Sequence, residues 1–131
     1  MTVLLSIKPK YVNKIKKGSK LYEFRRTIFK QKTEEIYVYA TSPIKKIVGK
    51  IIVDNIISDN PKQLWKSYHK QAGINKKDFF DYFEGKELGY AIKIKHFELF
   101  EKAIDPYQVN PKFVAPQSYA YIYNIFPGID I

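Results

Sequence analysis

Residues 44–57 read Ile-Lys-Lys-Ile-Val-Gly-Lys-Ile-Ile-Val-Asp-Asn-Ile-Ile. Successive side chains of a strand alternate between its two faces, and this run is too long and too apolar to be a flat strand with one face in water. Gly49 interrupts it near its start, and a glycine inside a strand pattern marks a bulge or a sharp bend. The stretch predicts a strand that curls around a small barrel, so that both faces find apolar partners.

The flanking segments are consistent with that picture. Glu35 to Thr41 is rich in β-branched and aromatic residues and is stopped by Ser42-Pro43. Leu21 to Arg26 is extended, with Tyr22 and Phe24 on one face and Leu21, Glu23 and Arg25 on the other. These two strands are separated by a short loop and are expected to pair, bringing Lys20, Glu23 and Arg25 near Tyr39, Thr41 or Ser42. Thr2 to Ile7 is a further strand. Pro9 opens a helix whose apolar stripe is Tyr11, Val12 and Ile15, and Gly18 is placed to end it. After the long strand, Asn60 caps and Pro61 opens a helix with Leu64, Trp65 and Tyr68 inward. Asn75 and Asp78 have capping-box spacing for a second helix, which buries Phe79, Phe80 and Phe83. Leu88 to Phe100 returns to strand, and the chain beyond Asp105-Pro106 is irregular, with a helical turn or two after Pro116. Tyr119, Tyr121, Tyr123 and Phe126 are expected to pack this tail on the barrel. The order is not a βαβ repeat and predicts α+β architecture: a small curved barrel of five to six strands with flanking helices.

At 131 residues the chain is expected to be one domain, residues 1–131, and 45% hydrophobic residues supply a sizeable core. It has no cysteine, which excludes disulfides, iron–sulfur clusters and thiol chemistry. His69 and His96 lack the spacing of a metal pair, so neither metal nor cofactor is expected. The opening residues lack the pattern of a signal peptide, and Pro116 and Pro127 cut the longest uncharged stretch. No membrane association and a cytoplasmic location are the expectations.

Charge gives the first positive clue. Residues 1–50 carry thirteen basic side chains against three acidic ones, whereas residues 51–131 carry ten of each. The whole formal excess of +10 therefore sits in the first half. A field of one sign favours a polyanion, nucleic acid ahead of an anionic membrane surface. The competing reading is a generally lysine-rich composition, with 21 lysines to two arginines.

Within that half the densest signal is Gly18-Ser19-Lys20-Leu21-Tyr22-Glu23-Phe24-Arg25-Arg26. A strand places Glu23 and Arg25 side by side, where an ion pair holds the guanidinium rigid, and Lys20 at the strand entrance reaches the same place. The lysine's charged neighbours disfavour its protonated form. The candidate catalytic residues are Lys20 and Glu23. The candidate nucleic-acid contacts are Lys8, Lys20, Arg25, Arg26, Tyr39, Thr41 and Ser42: cations for phosphate, tyrosine for stacking, hydroxyls for phosphate or base edges. Gln117 and Ser118 are further residues that can reach the same cleft.

Ser6-Ile7-Lys8-Pro9, the G-x-K-x-x-E-F-R-R motif of Gly18–Arg26, Tyr39-Ala40-Thr41-Ser42-Pro43, Val48-Gly49-Lys50 and Gly89-Tyr90-Ala91-Ile92 together resemble an ASCH domain of the PUA-like superfamily. The resemblance covers residues 3–100. It implies a PUA-like β-barrel with a cleft between barrel and helices, in which RNA or a nucleotide-like anionic ligand binds. Some members resemble amidohydrolases of acetylated cytidine that use a lysine, a threonine and a glutamate. Lys20 matches that lysine, Glu23 stands at the threonine position, and Gln71-Ala72-Gly73 stands where the glutamate would be. Others resemble ribonucleases or readers of RNA. Two readings follow, an RNA- or nucleotide-binding protein and a hydrolase of RNA or of a modified nucleoside centred on Lys20.

Overall fold

A computed structural model describes residues 2–125. The elements are β1 (Val3–Ile7), α1 (Pro9–Lys17), β2 (Tyr22–Arg25), β3 (Glu35–Ala40), β4 (Lys46–Asp59), α2 (Pro61–Tyr68), α3 (Lys76–Tyr82), β5 (Gly89–Ile104), α4 (Pro106–Val109), β6 (Tyr119–Tyr121) and α5 (Ile122–Ile125). They form one six-stranded sheet in the order β2-β5-β4-β3-β1-β6, curled into a half-barrel with helices on its flanks. All pairings are antiparallel except β1 with β3.

The long strand behaves as its sequence predicts. β4 pairs with β5 from Ile47↔Ile104 to Asp59↔Gly89, and the ladder shifts between Ile47 and Gly49 and again on either side of Val53. Each shift adds twist and bends the pair, which is what curls the sheet. At Gly49 the strands approach so closely that a Cβ would lie 2.4 Å from the Glu98 carbonyl oxygen. Only a residue without a side chain fits that crossing.

Both predicted caps form. The Asn60 side chain accepts from the Gln63 amide at 2.9 Å, and that of Asn75 from the Asp78 amide at 2.8 Å. They anchor α2 and α3 over one side of the sheet, where Leu64, Phe79 and Phe83 pack against Tyr22, Phe24 and Ala91. Phe79 is fully buried, and a side chain of that size contributes roughly 1.5–3 kcal/mol by leaving water. A second core lies under α1, where Val12 and Ile15 meet Val3, Leu5, Val38 and Ile51. A third, around Leu4, Tyr39, Ile47 and Phe113, fills the far side of β1 and β3.

Two expectations about the strands are corrected. β2 does not pair with β3: both sides of β3 are taken, by β1 and by β4, and β2 pairs instead with the first part of β5, Tyr22↔Lys93 to Arg25↔Tyr90. The tail is also more regular than expected, because α4 follows β5 directly and β6 adds to the free side of β1. Tyr119 and Tyr121 pack against the core under α1, while Phe126 lies outside the described residues.

Candidate functional site

β2 and β6 are the two edges of the curled sheet, and Arg25 at the end of β2 reaches across to the other side. Its Nη1 donates to the Ser6 carbonyl oxygen on β1 at 3.3 Å, and its Nη2 to Ser118 Oγ, just before β6, at 2.8 Å. The same Nη1 donates to Glu23 Oε2 at 3.0 Å. Strand alternation explains the pair, since Glu23 and Arg25 stand two residues apart on one face. Lys20 completes the row, with Nζ 3.6 Å from Glu23 Oε1. The three side chains are almost wholly buried, at 2%, 6% and 7% exposure for Lys20, Glu23 and Arg25. One carboxylate thus lies between two buried cations.

Lys20 has further partners. Its Nζ donates to the Ala72 carbonyl oxygen at 2.6 Å and lies 5.3 Å from the Tyr11 ring and 5.2 Å from the Phe24 ring. Burial pushes its pKa below the ordinary lysine value; Glu23 pulls it back up, and Lys14 and Arg25 push it down. Desolvation, rather than the neighbouring cations invoked from sequence, is the leading cause. The Nε of Arg25 is buried with no hydrogen-bond partner among the described residues.

This row forms the floor of a cleft of about 970 Å³. Its walls come from the end of β1 and the start of α1 (Ser6, Lys8, Lys10, Tyr11), from α3 (Asp78, Asp81, Tyr82) and from Pro116–Ser118. Ser6 Oγ donates to the Pro116 carbonyl oxygen at 2.6 Å and so ties the tail to the barrel. The Tyr82 hydroxyl accepts from the Arg26 amide at 3.2 Å and ties α3 to β2. Lining cations (Lys8, Lys10, Lys20, Arg25, Arg26, Lys86) outnumber lining carboxylates (Glu23, Asp78, Asp81) by six to three.

The structure brings Lys8, Lys20, Glu23, Arg25, Arg26 and Thr41 together around this cleft, and leaves Tyr39 and Ser42 outside it. Thr41 arrives through β1, its amide donating to the Ile7 carbonyl oxygen at 3.1 Å, and not through any pairing of β2 with β3. Tyr39 faces the opposite side of β3. Val38 and Ala40 take the side towards α1, so alternation sends Tyr39 against Phe113, at 5.5 Å between ring centroids. Its hydroxyl is hydrogen-bonded with Tyr107, and burial raises its pKa. Ser42 is exposed in the turn after β3. Gln117 and Ser118 do line the cleft. Ser6 is not among the site residues expected from sequence, although it stands in the Ser6-Ile7-Lys8-Pro9 segment and is the lone polar residue of the buried run Val3–Ile7.

Among the described residues there is no group of three or more histidines or carboxylates able to hold a metal, and no helix long and apolar enough to cross a membrane.

The half-barrel fold places the chain in a known class. The ASCH domain profile matches residues 5–109, and the chain belongs to the ASCH domain family. It is 29% identical over 122 residues to the ASCH domain-containing ribonuclease of Zymomonas mobilis, covering 91% of this chain and 82% of that protein. The crystal structure of ASCH from Zymomonas mobilis superposes with a TM-score of 0.84 at 27% identity, over 92% of this chain and 87% of that one. The chain is also 32% identical over 95 residues to the large ribosomal subunit protein uL22 of Ureaplasma parvum; that match spans 72% of this chain but only 30% of the ribosomal protein.

Proposed function

We propose that this protein binds single-stranded RNA in the cleft floored by Lys20, Glu23 and Arg25. The observation that carries the reading is the buried row itself, two cations to one carboxylate, opening into a cleft whose lining cations outnumber its carboxylates by six to three. Guanidinium and ammonium groups held in a poorly solvated place attract phosphate more strongly than the same groups in water. Arg25 is already fixed by Ser6, Glu23 and Ser118, so little side-chain freedom is lost when a phosphate arrives. Lys8 and Arg26 at the walls meet neighbouring phosphates, and Thr41 offers a hydroxyl beside them.

A second reading, RNA cleavage, is favoured by the similarity to a protein named as a ribonuclease. A lysine whose pKa is lowered by burial has a larger neutral fraction and serves as a base. Neutral Lys20 directs its N–H bonds at the Ala72 oxygen and at Glu23, which leaves the nitrogen lone pair to take the proton of a ribose 2′-hydroxyl. The 2′-oxygen then bonds to the adjacent phosphorus, the bond from phosphorus to the 5′-oxygen breaks, and the departing oxygen takes a proton from solvent. Arg25 faces the charge that gathers on the phosphate oxygens. Hydrolysis of a modified nucleoside has less support, because residues 71–73 (Gln-Ala-Gly) meet Lys20 with a backbone carbonyl and carry no carboxylate of their own.

The test is binding of a labelled single-stranded RNA by fluorescence anisotropy, with a denaturing gel for products. Lys20→Ala is expected to lose at least about tenfold in affinity, equivalent to 1.4 kcal/mol. Lys112→Ala, remote from the cleft, is expected to change affinity less than about twofold, an effect typical of one screened surface charge. Equal small losses from both overturn the cleft reading. Cleavage is supported if products end in a cyclic phosphate and vanish when the attacking 2′-hydroxyl is removed.

A further inference from the structure

We propose that the outward face of α1 continues the cleft as a phosphate track, on which Lys10, Lys14 and Lys17 hold the RNA that extends beyond the nucleotides inside. This rests on the reading of the cleft as an RNA site. Lys10, Lys14 and Lys17 fall at i, i+4 and i+7, so they share one face of the helix, opposite Val12 and Ile15, which are buried. At 1.5 Å per residue the stripe from Lys10 to Lys17 is about 10 Å long, the scale of one to two nucleotide steps.

The stripe begins in the cleft and leaves it. Lys10 lines the cleft, whereas Lys14 and Lys17 lie beyond it. The Tyr11 ring, itself on the cleft wall, holds Lys10 Nζ at 4.9 Å and Lys14 Nζ at 6.0 Å. Lys14 Nζ also donates to the Gly73 carbonyl oxygen at 3.1 Å. Two of the three ammonium groups are therefore held beside a ring of the cleft wall.

The helix carries this charge uncompensated. None of its nine residues is acidic, and no lysine of α1 is in an ion pair among the described residues. Lys10 sits near the positive end of the helix dipole, and Lys10 and Lys14 are like charges one turn apart, both unfavourable for an isolated helix. The second half of the chain balances its charges, so this concentration is local. A row of phosphates relieves both penalties at once. An isolated anion in the cleft does not reach Lys17, so the partner is a strand longer than the cleft.

The experiment compares a trinucleotide with a twelve-nucleotide single-stranded RNA across a salt series, using the full chain. The wild type is expected to bind the longer RNA more tightly and with a steeper salt slope. Lys14→Gln with Lys17→Gln is expected to reduce that slope by about 1.4, at roughly 0.7 per single-strand phosphate contact, and to leave the trinucleotide unchanged. Because Lys14 also holds a backbone carbonyl, Lys17→Gln alone is the second variant; the Lys17 side chain is exposed and makes no ion pair among the described residues. It is expected to reduce the slope by about 0.7. An unchanged slope for the long RNA in both variants overturns the track and spares the cleft. Failure of the wild type to bind either RNA overturns the cleft reading and the track with it. Binding of phosphatidylserine vesicles that depends on Lys14 and Lys17, without any gain from RNA length, assigns the face to a membrane surface and also overturns the track.

Discussion

Gly73 lies against the side chain of Lys20 so closely that a Cβ there would stand 2.5 Å from Lys20 Cβ and 2.7 Å from its Cγ. Its φ of +64° is itself in the left-handed region. The residues around it hold the α1–β2 corner by three consecutive carbonyls: Gln71 to the Leu21 amide, Ala72 to Lys20 Nζ, and Gly73 to Lys14 Nζ. Gly85 has the same backbone character, at φ +78°, with open space where its side chain would be.

The two glycines separate backbone strain from displacement of Lys20. Gly85→Ala is expected to cost about 1 kcal/mol of stability and to leave RNA binding alone. Gly73→Ala carries that strain and also pushes on the lysine stem, so it is expected to be the more destabilising and to weaken RNA binding severalfold. Chemical denaturation and anisotropy measure the two effects. Equal losses from both variants would falsify a specific role for Gly73.

Arg25 links β2, β1 and the residue before β6 through Glu23, Ser6 and Ser118. Arg25→Met removes one partner of a buried pair and leaves Glu23 with Lys20 alone, 3.6 Å away. A loss of about 3 kcal/mol in unfolding free energy is expected. Arg25→Lys keeps the charge but not the fork, and is expected to recover only part of it. Full recovery by lysine in denaturant unfolding is the contrary result.

Local chemistry carried much of this fold in plain view. The caps at Asn60 and Asn75 and the bend at Gly49 each depend on a few neighbouring residues, and each forms where its chemistry predicts. Pairing was less legible. Nearness in sequence suggested β2 with β3, but the strand partners are set by which apolar faces meet in the curled sheet. The same limit explains Tyr39. Alternation shows that Tyr37 and Tyr39 share a face, yet only the positions of α1 and of the tail decide which face meets the cleft. For the site, Glu23 beside Arg25 follows from strand geometry, whereas the burial of Lys20 depends on residues 71–73, some fifty positions away.

Tyr39 offers a check on that assignment. Its ring is buried against Phe113 and its hydroxyl is bonded with Tyr107, so Tyr39→Phe is expected to cost about 1 kcal/mol, the net worth of one hydrogen bond. RNA affinity is expected to stay within about twofold of wild type, since no stacking surface is lost. A large loss of affinity without a loss of stability would return Tyr39 to the binding surface.

Lys20 connects stability, binding and chemistry through one proton. Burial holds its pKa below the ordinary value, which the unfolded chain retains. Between those two values the unfolded chain binds more protons than the native one, so native stability rises with pH through that window. Lys20→Met lacks this titration. The wild type is therefore expected to gain stability relative to the variant as pH rises towards the ordinary lysine pKa, in denaturant unfolding. Parallel curves mean that Lys20 titrates as an exposed lysine does. The two functional readings then part in sign. Phosphate binding uses the ammonium form and weakens as pH rises through the native pKa, whereas proton abstraction uses the free amine and strengthens over the same range. Affinity and single-turnover cleavage measured across that window on one RNA are expected to move in opposite directions if both readings hold. Should cleavage fall together with affinity, Lys20 is a phosphate ligand and not a base.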